Sequence, residues 1–346
     1  MPHFVMWMLM LVTAAIAQAQ TYPSRAVTLV VPYPISGPTD IRGASRMTKT
    51  YKLMAANAPP AISDTLSRIV QQAIRYESKH PVLLERQPGG ATTRGALHVA
   101  RSPADGHMLL LASNETMVLT PHYSPAISYD PTRDFELAAP LVTMPFVLTM
   151  NTGLPFKTLD RLVSYIKMRP GEVNYGSSGD GSTGHLAGEL LRRAAGLDMM
   201  HVPHNGGLAA LNGLATAQTS LMFAALPLVL PYLKNEHLRV IAVASVQRTE
   251  LLPDLPTLSE SGIAGVDVAA WYGVFAPNGV SSNVIRWLSD HIGESINDAS
   301  IRSQLLALGL EPVRSPLSHF ATRIYTEGER WGPALKAARI PARKSS

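Results

Sequence analysis

The run Ala26-Val-Thr-Leu-Val-Val-Pro32 constrains the fold more than any other segment. Its β-branched residues favour a strand, and it lacks the alternation that would put one face in water. It therefore reads as a strand buried on both faces, as in a parallel sheet, stopped by Pro32 and the turn residues after it. Comparable runs recur at Val82-Leu-Leu-Glu85, Met108-Leu-Leu-Leu-Ala112, Pro140–Met150, Val173-Asn-Tyr175, Met199–Pro203, Ser220-Leu-Met-Phe223, Leu238–Ala244 and Trp271–Ala276. Helix-length stretches separate many of them: Thr65–Arg75, Leu159–Met168, His185–Ala195, Leu208–Leu214, Ser282–Ile296 and Ile301–Leu308. In His185–Ala195 the apolar Leu186, Leu190 and Ala194 repeat at fourfold spacing, the mark of one buried helix face.

Strands alternating with helices make this an α/β chain, and the pattern restarts after Asp134. The expected architecture is two lobes, each a doubly wound sheet, forming a clamshell with its ligand crevice at the carboxyl ends of the strands. The chain is expected to cross between lobes near Pro140–Asn151 and near Leu238–Ser245. That makes the first lobe discontinuous, residues 20–140 with 245–346, around a second lobe of residues 141–244. Lys336–Ser346, basic and Pro-containing, reads as a frayed end.

The N-terminus carries an apolar run, Phe4–Ile16, followed by the small-x-small pattern Ala17-Gln18-Ala19. This is the form of a cleaved export leader, so residues 1–19 are expected to be removed. The run is too short to span a bilayer, which wants about 20 apolar residues. Hydrophobic content of 46% and charged content of 16% fit an ordinary globular chain. The absence of cysteine excludes disulfides, thiolate catalysis and Cys-ligated zinc. A net charge of +5 with interspersed acids gives no nucleic-acid footprint.

The segment richest in chemistry is Tyr175-Gly-Ser-Ser-Gly-Asp-Gly-Ser-Thr-Gly-His185, which joins an expected strand to an expected helix. Its glycines can aim several backbone N–H groups inward, and the helix start adds unpaired amides and a positive dipole end. With hydroxyls from Ser177, Ser178, Ser182 and Thr183 this makes an anion cradle without Lys or Arg. The plainer alternative is a glycine-rich turn whose Ser182 or Thr183 only caps the helix. Gly179-x-Gly181-x-x-Gly184 has the spacing of a dinucleotide fingerprint, but the next strand, Met199–Pro203, ends without the acid that grips a ribose. No Gly-x-Ser-x-Gly elbow is present, which argues against an α/β-hydrolase. His185 with Glu189, and His201 with His204, are spaced as metal pairs, yet such pairs arise readily by chance, so neither metal nor cofactor is expected. In the first lobe Pro32-Tyr-Pro-Ile-Ser-Gly-Pro-Thr-Asp40 occupies the equivalent strand-to-helix position, either as a facing ligand loop or as a plain Pro-rich connection.

These segments in this order resemble the Bug family, the extracytoplasmic solute receptors of tripartite tricarboxylate transporters. The resemblance rests on Tyr22-Pro-Ser-Arg, Leu29-Val-Val-Pro-Tyr33, Pro103-Ala-Asp-Gly106 before Leu109-Leu-Leu, Tyr129-Asp-Pro131 with Asp134-Phe135, Tyr175–His185, and Pro256-Thr-Leu-x-Glu260 with Trp271-Tyr-Gly. It implies a type II periplasmic-binding fold that holds a carboxylate between two strand-to-helix loops and presents it to transporter membrane subunits. The implied protein is monomeric, periplasmic and not an enzyme. A sensor component reporting to a membrane kinase is the alternative role, and a hydrolase on a two-lobed fold a remoter one. Carried over, the first loop falls on Tyr33, Pro34, Ser36, Gly37, Thr39 and Asp40, and the second on Ser177, Ser178, Gly181, Ser182, Thr183 and His185. Ala224 and Trp271 are the candidate pocket walls, with Tyr272 beside Trp271.

The chain departs from the family between Asp40 and Pro81, where it is longer. The insertion, residues 41–63, is expected at the cleft rim, and Ser63 with Asp64 repeats the loop-to-helix character, an alternative first-loop pair. Ala224 and Ser220 stand where the family usually carries acids, which favours a plain or aromatic acid over an amino acid. Mass spectrometry of the exported protein should find an N-terminus near Gln20; retention of Phe4–Ile16 in a membrane fraction is the opposing result.

Overall fold

The computed structural model describes residues 22–33, 61–90, 92–123, 127–234 and 236–337. The leader, Pro34, Ser36, Gly37, Thr39, Asp40 and most of the 41–63 insertion lie outside them.

The first half alternates as the apolar runs predict: β1 (Val27–Val31), α1 (Ile62–Ser78), β2 (Val82–Arg86), α2 (Thr93–Ala100) and β3 (Met108–Ser113). β1 lies between β2 and β3 and is parallel to both, and Val27, Leu29, Val30 and Val31 are fully buried. A single strand, β4 (Phe135–Asn151), then runs through the molecule. The second half holds α3 (Leu159–Met168), β5 (Val173–Ser177), α4 (Thr183–Ala195), β6 (Met199–Pro203), α5 (Gly207–Ala215), β7 (Leu221–Ala225) and β8 (Leu238–Val243). The chain returns through β9 (Ala269–Pro277), α6 (Ser282–Asn297), α7 (Ala299–Ala307), β10 (Glu311–Pro312) and α8 (Leu317–Ala337).

The strand order is β2-β1-β3-β9-β4-β7-β5-β6, with β8 and β10 also paired to β4. The outer strands are parallel, but every pairing of β4, and that of β3 with β9, is antiparallel. The sheet is thus mixed and shared through β4, where two separate doubly wound sheets were expected. A strand that travels from one half to the other meets partners travelling back, so antiparallel pairing is the geometric consequence.

The ladder changes hands within β4. Up to Pro145 it pairs with β9, and from Phe146 it pairs with β7, joined by β8 from Val147. Proline has no N–H to give a ladder, so Pro145 sits at the one step where the partner changes. Pro140 lies at a register shift against β9, the bulge that lets a strand interior tolerate proline. The return path lies alongside: the Ala244 N–H donates to the Phe146 carbonyl at 2.8 Å, and the Val268 N–H to the Ala244 carbonyl at 2.6 Å.

One long apolar cluster runs through both halves, and a smaller one in the second half gathers Val147, Leu211, Leu214, Met222, Ala224, Leu226 and Val243. Helix α8 was not expected from the sequence, because Gly328, Gly332 and Pro333 interrupt its helical pattern. Tertiary contact overrides that propensity. Gly332 leaves room for the His122 ring, which would stand 2.5 Å from a Cβ there, and Trp331 is fully buried. Glu327, 2% exposed, accepts from the Trp271 indole N–H at 2.7 Å and from Arg323 at 2.8 Å. Burial raises its pKa, with Arg323 and the indole opposing. Glu327→Ala leaves the indole without an acceptor and should cost about 3 kcal/mol in urea unfolding, while Glu327→Gln, which keeps an acceptor, should cost about 1 kcal/mol.

Candidate functional site

Strand β5 ends at Ser177 and α4 begins at Thr183, and the turn between them is a set of local hydrogen bonds. Gly179 and Gly181 have φ of 130° and 73°, backbone that side chains other than glycine's rarely adopt. Ser182 is the N-cap of α4, its Oγ accepting from the His185 N–H at 3.4 Å and its hydroxyl donating to the Gly179 carbonyl at 2.7 Å. Ser177 also bonds within the loop: its Oγ accepts from the Gly179 N–H at 3.2 Å. The Ser178 carbonyl accepts from the Gly206 N–H, tying the loop to the start of α5. Ser177, Ser178, Gly181, Ser182, Thr183 and His185 are thus brought together, but the Ser177 and Ser182 hydroxyls bond within the loop, and Thr183 bonds elsewhere. What the turn offers to a ligand is the first amides of α4, which a helix leaves without internal partners; the Gly179 and Gly181 amides are taken by Ser177 and His185. Gly184 lets this helix start approach β7, since a Cβ there would stand 2.7 Å from the Phe223 carbonyl oxygen.

Beneath the turn, His185 and His201 stack with ring centroids 3.7 Å apart and planes 14° apart. The Gly181 N–H donates to His185 Nδ1 at 3.2 Å, which places the His185 proton on Nε2. His201 Nδ1 lies 3.6 Å from Asp180 Oδ1, which favours the proton there and leaves Nε2 to accept the Ser177 hydroxyl at 2.7 Å. Behind the stack, the Tyr175 hydroxyl donates to Glu189 at 2.8 Å, and Arg192 pairs with both Glu189 oxygens. Burial opposes the Glu189 charge, yet Arg192 and Tyr175 hold its carboxyl below the usual range. Asp180, His185 and His201 are close enough together to be considered as metal ligands. They fit poorly, because the Gly181 N–H occupies His185 Nδ1 and the parallel rings aim their lone pairs alongside one another. The His204 of the other metal-spaced pair has its Nε2 buried beside Gly213, apart from a hydrogen-bond partner.

Across the seam stands a wall from the first half. Tyr33 follows β1 and meets Tyr272 of β9 edge to face, centroids 5.6 Å apart. Its hydroxyl lies 3.3 Å from Thr116 Oγ1, which is 2.8 Å from Thr92 Oγ1. Thr116 belongs to a π-helical turn, Glu115–Leu119, that starts where β3 ends. Asn114, fully buried at that junction, donates from Nδ2 to Thr183 Oγ1 at 3.1 Å, a buried hydrogen bond between the halves. Sequence reasoning missed Asn114 and Thr116, and weighed His201 only as a metal-spaced partner of His204. The signal for Asn114 was its place just after a strand end, where α/β sheets put ligands.

Helix α1, which follows β1, starts at Ile62, so Ser63 and Asp64 lie in its first turn. Asp64 accepts from Arg86 at the end of β2 at 2.6 Å. Trp271, fully buried, turns to Glu327 instead of joining Tyr272 at the seam, and Ala224 packs in the smaller apolar cluster. Two adjoining cavities of about 420 and 520 Å³ lie beside the Pro145 step, away from both loops. Four of the arginines lining them are already paired: Arg248 with Glu260, Arg302 with Glu250, Arg323 with Glu327 and Arg330 with Asp267.

Burial, then the neighbouring His185, pushes His201 down to about 4 from the ordinary 6.5, against the pull of Asp180 and Glu189; burial lowers His185 too. The fold therefore holds the neutral imidazoles. Their contribution is complete above about pH 6.5 and is lost as the pH falls toward 4, because the unfolded chain takes up the protons first. The melting temperature should fall between pH 7 and pH 5, and His201→Gln should remove at least half of that fall; an unchanged pH slope would clear the stack of any role.

The profile of the tripartite tricarboxylate transporter family receptors matches residues 66–340. A protein from the tcbD-tcbE intergenic region of Pseudomonas sp. strain P51 is 28% identical over 93% of this chain and 88% of its own length. BugT of Bordetella pertussis is 27% identical over 93% of this chain and 92% of its own. Among solved structures, Rpa4515 of R. palustris with adipate has a TM-score of 0.73 at 27% identity, covering 92% of this chain and 99% of that one. MatC of Rhodopseudomonas palustris with bound malate has a TM-score of 0.69 at 27% identity, covering 91% and 100%. No helix among the described residues is long and apolar enough to cross a membrane. The chain belongs to the tripartite tricarboxylate transporter receptor family, and it is a solute-binding receptor on an α/β fold of two lobes.

Proposed function

We propose that this receptor captures a small carboxylate in the seam between the Ser177–Thr183 turn and the Tyr33–Asn114–Thr116 wall, and hands it to the membrane subunits of a tripartite transporter. The observation that carries this reading is the turn itself. The hydroxyls of Ser177 and Ser182 are spent on bracing hydrogen bonds, so the turn meets a ligand chiefly with the first amides of α4, a recognition surface for one carboxylate group. Such a surface reads the end that all carboxylates share and leaves the remainder of the ligand to the facing wall. The adipate and malate of the two relatives differ in length and in hydroxylation, which fits that division.

The lobes divide as residues 20–140 with 245–346, and 141–244, supported by the change of β4 partners between Pro145 and Phe146. The first-lobe contribution comes from Ser63 and Asp64, supported by the start of α1 at Ile62. The protein works as a monomer in the periplasm after loss of residues 1–19 and carries out no chemistry on its ligand.

A thermal-shift screen of mono-, di- and hydroxy-carboxylates tests the reading, since a ligand at 100 times its Kd adds about 2.7 kcal/mol of stability. Gly181→Val introduces a β-branched residue at positive φ in the turn. It should weaken carboxylate binding at least tenfold in calorimetry while unfolding stays cooperative. Unchanged affinity would remove the turn from the site.

A further inference from the structure

The side-chain amide of Asn114 is fully buried, and half of it is used. Nδ2 donates to Thr183 Oγ1 across the seam, while Oδ1, in the same planar group, is buried with no hydrogen-bond partner among the described residues. An orphaned buried acceptor is destabilising unless something supplies a donor, and native structures leave few of them. Its partner Thr183 is the first residue of α4, so this acceptor lies beside the helix start that the receptor reading assigns to the ligand carboxylate.

The wall around it is also rich in oxygen. Thr116 Oγ1 lies between the Tyr33 and Thr92 hydroxyls, and Tyr129 donates to the Thr116 carbonyl at 2.7 Å. Glu115, next in the chain, adds a carboxylate near Tyr33 and Tyr272 that reinforces the raising of both phenols by burial. One side of the seam therefore presents N–H groups and a dipole, and the other presents hydroxyls and the Asn114 Oδ1 acceptor. A plain carboxylate chain leaves that acceptor unsatisfied.

We infer that Asn114 is a specificity-determining residue whose free Oδ1 accepts a hydrogen bond from a donor next to the ligand's carboxylate, so that the receptor prefers acids bearing such a donor over their unsubstituted counterparts. The inference rests on the carboxylate reading of the same seam. A hydroxyl and an ammonium share the required chemistry. The hydroxyl is the better fit, because a neutral donor can be buried beside the uncharged amide without the counter-charge that an ammonium would need.

Calorimetry on matched acids tests this: malate against succinate, mandelate against phenylacetate, and citrate against tricarballylate, with aspartate as the ammonium analogue of malate. The wild-type protein should bind the hydroxy acid of at least one pair about tenfold more tightly than its partner, the size expected for satisfying a buried acceptor. Asn114→Ala should reduce that ratio to about twofold or less, chiefly by improving the plain acid. Thr183→Val, which removes the bond between the halves and leaves Oδ1 in place, should weaken both acids and keep their ratio; it carries the test if Asn114→Ala does not fold. Aspartate binding more tightly than malate would overturn the hydroxyl assignment. Equal affinities within every pair, or a ratio that survives Asn114→Ala, would overturn the role of Asn114. Failure of every acid to bind the wild-type protein would defeat the carboxylate reading itself.

Discussion

The ladder of β4 holds the two halves in one molecule. A strand of 17 residues has to satisfy backbone donors and acceptors along its whole length, and it does so with different partners at its two ends. At Pro145 the chain contributes no N–H, so the exchange of partners leaves no donor stranded. The return path at Ala244 is bonded to Phe146, which places both connections side by side. Two adjacent connections leave the far ends of the halves free to approach or separate about one line, the arrangement of a hinge. Because β4 must meet returning strands, the centre of the sheet is antiparallel while its margins keep the parallel βαβ form.

At the seam between the halves, the recognition surface is made by constraint. Ser177 and Ser182 brace the turn after β5, Ser177 reaching His201 as well, and the glycines take conformations and approaches that side chains would block. Its underside is a charge network from Tyr175 through Glu189 and Arg192 to the His185–His201 stack. Stacked imidazoles at this distance are compatible only while neutral, which burial enforces. The turn is therefore rigid before any ligand arrives, and a preorganised anion surface loses less on binding than one that must order itself. Rigidity on this side leaves discrimination to the facing wall, where Asn114, Thr116 and Tyr33 converge.

The α/β class, most of the strands and helices, and the turn were legible in the primary structure. Apolar runs bounded by turn residues record local constraints, as does a glycine-serine segment at a strand-to-helix junction. The bounds of Leu159–Met168 agree at both ends with the sequence reading, because its helical period and its flanking breakers coincide. The order of motifs also pointed to the family that the profile match identifies.

Other features depend on neighbours distant in sequence. Helix α8 forms over Gly328, Gly332 and Pro333 because Trp331, Glu327 and His122 give those positions tertiary partners. Trp271 resembled a pocket residue by its place in a conspicuous motif, yet strand alternation and Glu327 turn it into the core and leave Tyr272 at the seam. Ser177 and Ser182, which read as ligand donors, brace the turn once it closes. Asn114 stood in the sequence as one polar residue after a strand; only its contact with Thr183, 69 residues on, brings it to the site. Sequence by itself determined which elements form and where the backbone can bend, because propensity and period act within a few residues. Tertiary structure decided which side chains meet and which buried atom is left waiting for a partner, because burial and hydrogen bonding are settled by groups that the chain brings together from afar.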